Sequence, residues 1–210
     1  MSIMKKLLVA VVAVVLMGGI GLTISAQDGD PELPLAVNWM HDVGLTRYAS
    51  VPEFNPSGWL TREQAAKFMA VFAEEVLEMT TDGSVVCEFA DLASTDHTLQ
   101  GFVVDACELG LFQGTQGRFH PQAALTKAQA LTVLVRAMDQ KQDEDVNPRW
   151  RNYFTRAQSL GLTKERDVRA VDRPITRYEM ALLLYRSAQG GMDIEDVELA
   201  ELYKLLMQLG

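Results

Sequence analysis

The hexapeptide Leu60-Thr61-Arg62-Glu63-Gln64-Ala65 decides the fold, because its pattern returns twice further along the chain. The other copies are Leu125-Thr126-Lys127-Ala128-Gln129-Ala130 and Ile175-Thr176-Arg177-Tyr178-Glu179-Met180. Each copy reads apolar, threonine, basic, any residue, Glu or Gln, apolar. Gly-Leu pairs begin at positions 44, 110 and 161, which lie 17, 16 and 15 residues before the threonines. Self-similarity at nearly constant offset predicts a repeat protein with three units.

Each threonine is predicted to begin a helix. Its hydroxyl can accept a hydrogen bond from the backbone three residues later, and the Glu or Gln there can accept one from the threonine N–H. Apolar stripes at helical spacing follow, at Ala65, Phe68, Met69 and Phe72, at Ala130, Val133, Leu134 and Ala137, and at Met180, Leu183 and Leu184. Shorter amphipathic helices are predicted around 36–43, 101–109 and 151–160. Gly44, Gly110 and Gly161 should end them in the left-handed conformation.

The predicted fold is all-α, mainly helical with long loops. One unit of about fifty residues buries too little apolar surface to be stable alone, so the units should pack around one axis with pseudo-threefold symmetry. We place repeat 1 at 27–80, repeat 2 at 84–140 and repeat 3 at 145–189. Residues 190–210 form a predicted amphipathic helix, which either packs on repeat 3 or mediates self-association or binding to another surface protein.

Residues 1–26 have the layout of an export signal, with Lys5 and Lys6 before an apolar run and small residues up to Ala26. The apolar stretch 7–24 is about long enough to span a bilayer, so an uncleaved membrane anchor is the alternative. The chain of 210 residues is 48% hydrophobic and 22% charged, which is typical of a folded protein. Its formal charge of −9, without a basic stripe, argues against nucleic acid as a partner.

The two cysteines, Cys87 and Cys107, fit neither a redox motif nor a zinc site. In an exported protein they predict a disulfide, with buried free thiols as the alternative.

The sequence resembles the S-layer homology (SLH) modules of bacterial cell-surface proteins. The resemblance covers roughly residues 35–188 and rests on the three helix starts and on three stretches of repeat 2. These stretches are Cys87-Glu88-Phe89-Ala90-Asp91-Leu92, Gly110-Leu111-Phe112-Gln113-Gly114 and Gly117-Arg118-Phe119-His120-Pro121. It implies three modules that grip cell-wall polysaccharide in the grooves between them. In that family the polymer often carries pyruvyl groups, and the basic residue of the helix start helps to hold their carboxylates.

The basic residues Arg62, Lys127 and Arg177 also stand out on physical grounds. A cation is slightly unfavourable at the first position of a helix, yet beside the helix N-terminus it favours an anion. The alternative is a solvated side chain or an internal ion pair. Lysine lacks the two-pronged grip of arginine, so the groove of Lys127 is expected to be weaker or differently selective.

Trp39 and Trp150 are candidates for stacking on a sugar ring, with packing in the core as the alternative. Tyr153 is an alternative to Trp150, and Trp59 is assigned to the apolar contacts of the first helix start. Gly44, Gly110 and Gly161 complete the predicted ligand-binding set.

No catalytic residue, cofactor or metal site is predicted. His41, His97 and His120 are far apart in sequence, and no hydrolase or phosphate-loop motif occurs. Glu63, Glu74, Glu75 and Glu78 are expected to form a solvated helix face.

The predicted function is therefore noncovalent binding of secondary cell-wall polysaccharide by an exported protein, for surface-layer or envelope attachment. The alternative is a membrane-anchored module that binds proteins and no glycan, and a third option is a wall-active hydrolase.

Overall fold

A computed structural model describes residues 30–81, 83, 85–139 and 142–190. Its helices are α1 Glu32–Asp42, α2 Val51–Phe54, α3 Arg62–Glu75, α4 Gln100–Glu108, α5 Lys127–Met138, α6 Arg151–Ser159 and α7 Arg177–Ala188, with a 3-10 turn at Leu92–Ser94. The described residues contain isolated β-bridges and no β-strand, so the all-α prediction is confirmed. The predicted export signal and nearly all of the predicted C-terminal helix lie outside the described residues.

The three predicted helix starts are confirmed in detail. Thr61, Thr126 and Thr176 each accept a hydrogen bond from the third helical residue, whose side chain accepts one from the threonine N–H. Gly44, Gly110 and Gly161 follow α1, α4 and α6 with φ of 78°, 73° and 69°. Glycine is favoured there because a side chain would strain this left-handed conformation.

Helices pair between repeats. The long helix α3 packs on α4 of repeat 2, α5 packs on α6 of repeat 3, and α7 packs on α1 of repeat 1. The predicted apolar stripes lie in these contacts and are buried, apart from the half-buried Ala137. Each repeat therefore completes its core with its neighbour, and the last repeat closes on the first.

The segments before the long helices are joined by three backbone hydrogen bonds. Leu60 donates to Ile175, Ile175 to Leu125 and Leu125 to Leu60, at N···O distances of 3.2, 2.9 and 3.0 Å. The first amide of each long helix also donates to a neighbouring repeat, in the pairs Arg62 to Ala123, Lys127 to Arg173 and Arg177 to Gly58. These amides are thus already satisfied by protein carbonyls. The overall threefold symmetry stays a prediction.

Two predicted side-chain environments are wrong. Glu63 was assigned to a solvated face, but it is 5% exposed and accepts hydrogen bonds from the Asp96 amide and the Gln122 side chain at 3.1 and 2.9 Å. The start of α3 faces the loop of repeat 2, which supplies both donors. Trp59 was assigned to apolar packing, but it is 63% exposed, whereas Leu60 beside it is fully buried.

A disulfide joins Cys87 to Cys107 in the structure, with their Cα atoms 6.0 Å apart. It ties the segment that enters repeat 2 to α4. Across the described ranges, no helix is long and apolar enough to cross a membrane.

Candidate functional site

Arg62 lies at the first position of α3, and its guanidinium reaches onto the loop of repeat 2. Its Nε donates to the Phe119 carbonyl at 2.9 Å, and its Nη2 donates to the Gln113 carbonyl at 3.2 Å. The guanidinium carbon lies 4.9 Å from the ring centroid of Phe119 and 5.4 Å from that of Phe112. Burial lowers the pKa of Arg62, although arginine remains charged at neutral pH.

Arg177 makes the corresponding contacts with repeat 1. Its Nε donates to the Phe54 carbonyl at 2.7 Å, and its guanidinium carbon lies 4.5 Å from the Phe54 ring centroid. Burial lowers the pKa of Arg177 as well. Among the described residues, no carboxylate forms an ion pair with either Arg62 or Arg177. Both are therefore partly buried cations held by carbonyl groups and aromatic rings.

Lys127 differs from the two arginines because its charge is already compensated. Its Nζ lies 3.0 Å from Glu179 Oε1 and 3.4 Å from Glu165 Oε1, and the residue is 8% exposed. Arg173 binds the same two carboxylates, with 2.6 Å to Glu179. Burial alone would raise the pKa of Glu179, but hydrogen bonds and charge from Arg173 and Lys127 lower it to about 2. The Glu179 carboxylate is thus ionised at neutral pH.

Three grooves of the described chain share one plan, and we name each by its basic residue. Each is lined by the first residue of one long helix, by the residues after the glycine turn of the next repeat, and by the long helix of that repeat. The Arg62, Lys127 and Arg177 grooves have volumes of about 560, 410 and 290 Å³. The structure therefore places the three predicted basic residues in separate grooves.

The predicted aromatic residues fall in different places. Trp150 lines the Arg62 groove, is half-buried, and donates its Nε1–H to the Val168 carbonyl at 3.2 Å. Tyr153 lines the same groove and is 1% exposed. Trp39 instead packs edge-on against Phe72 and Tyr185, with ring centroids 6.4 and 5.8 Å away, and lines none of the three grooves. Trp150 thus remains beside a predicted binding residue, whereas Trp39 has a packing role.

The predicted glycines are also absent from the linings of these three grooves. The residues that follow them, Leu45, Leu111 and Leu162, line one groove each. The three glycines therefore shape the grooves indirectly, because the left-handed turns they form position the leucines that line them.

The Arg62 groove also contains a partly buried ion cluster that the sequence did not predict. Glu144 accepts hydrogen bonds from the Tyr153 hydroxyl and Arg149 Nε at 2.7 Å each, and also from Arg136. Burial alone would raise the pKa of Glu144, but hydrogen bonds from Tyr153, Arg136 and Arg149 lower it to about 2. Glu144 lies between the repeated motifs, so no sequence signal pointed to it.

Comparison with known proteins identifies part of the chain. A sequence profile of the S-layer homology domain matches residues 89–131. Residues 89–131 are thus similar to an S-layer homology domain. This SLH segment contains Asp91, which accepts hydrogen bonds from the Phe119 and His120 amides at 2.8 and 2.9 Å. It thereby fixes the loop against which Arg62 packs.

A longer relative is similar over most of the chain. A "Cell surface protein" from Thermoanaerobacter kivui is 30% identical in an alignment 177 residues long, and this alignment covers 81% of the present chain and 22% of that protein. The chain therefore spans about a fifth of the length of that relative. Together the SLH match and this relative support a location at the cell surface.

Proposed function

We propose that the chain is an exported protein with three SLH-like modules, 27–80, 84–140 and 145–189, which attaches noncovalently to an acidic polysaccharide of the cell wall. The observation that carries this proposal is the state of Arg62 and Arg177. Each is a partly buried guanidinium in a groove, without a carboxylate partner among the described residues. A buried cation of this kind is stabilised when a ligand supplies the anion.

The contacts of Arg177 leave part of its guanidinium available. Its Nε is engaged by Phe54, and within the described residues its terminal Nη atoms make no hydrogen bond to protein. Arg62 holds its Nε and Nη2 on two carbonyls and retains Nη1. A carboxylate such as that of a pyruvyl substituent would accept hydrogen bonds from these nitrogens.

The Arg62 groove adds a surface for a sugar ring. Trp150 is half-buried there and held through its Nε1–H, so part of its ring borders the groove. A flat aromatic face beside a cation suits an acidic sugar, because the ring packs on the apolar face of the sugar while the cation binds its charge.

Lys127 is left out of the proposed binding set. Glu165 and Glu179 already occupy its ammonium group, so a ligand anion would have to compete with two internal carboxylates. The prediction that Lys127 contacts glycan is not supported by its surroundings.

Sedimentation of the purified chain with isolated cell-wall sacculi tests this proposal. The wild type should sediment with the sacculi, whereas the double variant Arg62→Gln/Arg177→Gln should bind about tenfold more weakly, since charge-assisted contacts are lost. Arg166→Gln is the matched control, because Arg166 is exposed and lines none of the three grooves. If the wild type stays in the supernatant, the polysaccharide proposal fails, and a module that binds proteins alone becomes the better account.

A further inference from the structure

The Arg177 groove contains an excess of positive charge that the repeated motif does not explain. Its lining includes Arg177, Arg47 from the turn of repeat 1, and Lys67 from α3. No acidic residue is among the described residues that line it. In a chain with a formal charge of −9, a groove with three cations and no carboxylate is a distinct electrostatic feature.

Two of these cations are arranged around one aromatic ring. The guanidinium carbons of Arg47 and Arg177 lie 5.1 and 5.8 Å from the ring centroid of Tyr48, and Arg47 Nη2 donates to the Tyr48 hydroxyl at 3.1 Å. The hydrogen bond and charge of Arg47, together with the charge of Arg177, lower the pKa of Tyr48. The negative charge of Glu53 has the opposite effect on the pKa of Tyr48, and the Glu53 carboxylate accepts a hydrogen bond from the Ser50 hydroxyl at 2.9 Å.

Lys67 supplies the third cation from the opposite wall. Its Nζ lies 5.8 Å from the Phe102 ring centroid, and no ion pair links it to a carboxylate in the part of the chain that the structure describes. The two walls of the groove, the turn after Gly44 and helix α3, therefore each carry a cation in addition to Arg177.

The other two grooves are compensated to different degrees. The Arg62 groove also contains three arginines, but Arg136 and Arg149 both bind Glu144, so within the described ranges Arg62 is the one arginine of this groove without a carboxylate partner. In the Lys127 groove, Glu165 and Glu179 pair with Lys127, and Arg186 pairs with Glu32. Among the described residues, the Arg177 groove therefore has more cations without a carboxylate partner than the Arg62 groove, and the repeated basic residue of the Lys127 groove is paired.

We infer that the three grooves are functionally unequal: the Arg177 groove is the principal anion site, with Arg47 and Lys67 as additional ligand-binding residues, and the Lys127 groove is closed by its own carboxylates. This inference rests on the proposed function. The ligand is an acidic glycan segment whose charged substituent is a carboxylate or a phosphate, since both accept hydrogen bonds from clustered cations.

Titration of soluble wall polysaccharide into the full chain tests the inference. Arg47→Gln and Lys67→Gln should each weaken binding about fivefold, and the double variant more, because each removes one cation from the groove. Arg166→Gln should bind like the wild type. Thermal unfolding of each variant, measured in parallel, should change little, since neither side chain forms an ion pair with a carboxylate of the described residues and the Arg47–Tyr48 hydrogen bond is exposed.

The outcomes separate this inference from the proposed function. If the wild type binds and Arg62→Gln weakens binding, while Arg47→Gln and Lys67→Gln do not, the inference is overturned and the proposed function stands. If the wild type does not bind, both are overturned.

Glu165→Gln tests the closed groove. It removes one of the two carboxylates on Lys127 and should strengthen binding about twofold or more, because Lys127 and Arg173 then share the single carboxylate of Glu179 and the groove gains one net positive charge. Unchanged or weaker binding contradicts closure by these carboxylates.

Treated polymers distinguish the two anion sources. The wild type should bind native polymer more tightly than Lys67→Gln does. This difference in affinity should disappear on depyruvylated polymer if the substituent is a carboxylate, or on dephosphorylated polymer if it is a phosphate. Persistence of the full difference on both polymers overturns the inference.

Discussion

Arg177 and Phe54 are 123 residues apart in sequence, yet the Arg177 Nε–H donates a 2.7 Å hydrogen bond to the Phe54 carbonyl oxygen. The same contact joins Arg62 to Phe119, 57 residues away. Each side chain that we propose to bind the ligand therefore also fastens its own repeat to the next one. Stability and binding must be measured together for any variant at these positions.

Arg177→Lys separates the charge from the guanidinium contacts. Lysine keeps the cation but loses the Nε hydrogen bond and much of the stacking on Phe54, so the free energy of unfolding should decrease by about 1–2 kcal/mol. Urea unfolding monitored by circular dichroism measures this change. Arg62→Lys should behave alike, since Arg62 makes the same kind of contact. Arg166→Lys should have no effect, and equal stability of all three variants would contradict the fastening role.

Lys127→Met should lower the stability of the fold without weakening the binding to sacculi. Loss of the ammonium group leaves Glu179 partly buried with Arg173 as its remaining cation, so the free energy of unfolding should fall by about 1–3 kcal/mol. Binding to sacculi, measured on the folded protein, should stay at the wild-type level. A clear loss of binding would show that Lys127 contacts the polymer despite its internal partners.

Acid should weaken the ion network around Glu179. The pKa of its carboxyl is lowered from 4.5 to about 2, so its stabilising contribution is complete above pH 4.5 and is lost as the pH falls from 4.5 toward 2. The urea concentration at the unfolding midpoint should therefore fall as the pH is lowered from about 6 to about 2.5.

Glu179→Gln is the control for this pH dependence. Gln occupies the corresponding position in the other two capping boxes, so the helix start should survive while the titrating carboxyl is removed. The variant should be less stable at neutral pH and should lose less stability in acid. An unchanged acid profile would assign the titration to another group, with Glu144 as the next to test because its pKa is also about 2.

The disulfide is expected to stabilise the entry to repeat 2. Closing a loop with a sequence separation of 20 residues should contribute about 3 kcal/mol through restriction of the unfolded chain. A reductant should therefore lower the urea midpoint of the wild type and leave that of Cys87→Ser/Cys107→Ser unchanged. If titration of the purified protein finds two free thiols, the disulfide assignment is wrong.

Gly114 is a tightly packed glycine of repeat 2, and Gly101 in the same repeat serves as its control because the space around it is open. A Cβ on Gly114 would lie 2.6 Å from Phe89 Cε1 and 2.7 Å from the Arg118 carbonyl, so Gly114→Ala should destabilise the protein by about 1–3 kcal/mol. Gly101 lies in α4 with open space around it, so Gly101→Ala should be neutral or stabilising by up to about 1 kcal/mol. Equal unfolding midpoints for the two variants would contradict the close contact at Gly114.

The local parts of this fold were predictable from sequence, because their determinants lie within a few residues of one another. The capping box at Thr61 needs only Gln64, and the turn after α1 needs only Gly44. The apolar stripes likewise follow from helical spacing. These features predicted the helix starts, the turns and the buried faces correctly.

The side-chain partners of the site could not be predicted, because they come from other repeats. Lys127 resembles Arg62 and Arg177 in sequence, but Glu165 and Glu179, which compensate its charge, lie 38 and 52 residues away. Glu63 is buried for the same reason, since Asp96 and Gln122 reach it from repeat 2. Arg47 and Lys67 belong to no repeated pattern, so only the assembled groove reveals them.

Isothermal titration of native wall polysaccharide into the wild type and into Arg62→Gln/Arg177→Gln tests the central claim most directly. The account predicts saturable binding by the wild type and an affinity lower by about tenfold or more for the folded double variant, because both unpaired guanidinium groups are lost. Equal affinity for the two proteins would contradict the claim that these two arginines bind the acidic polymer.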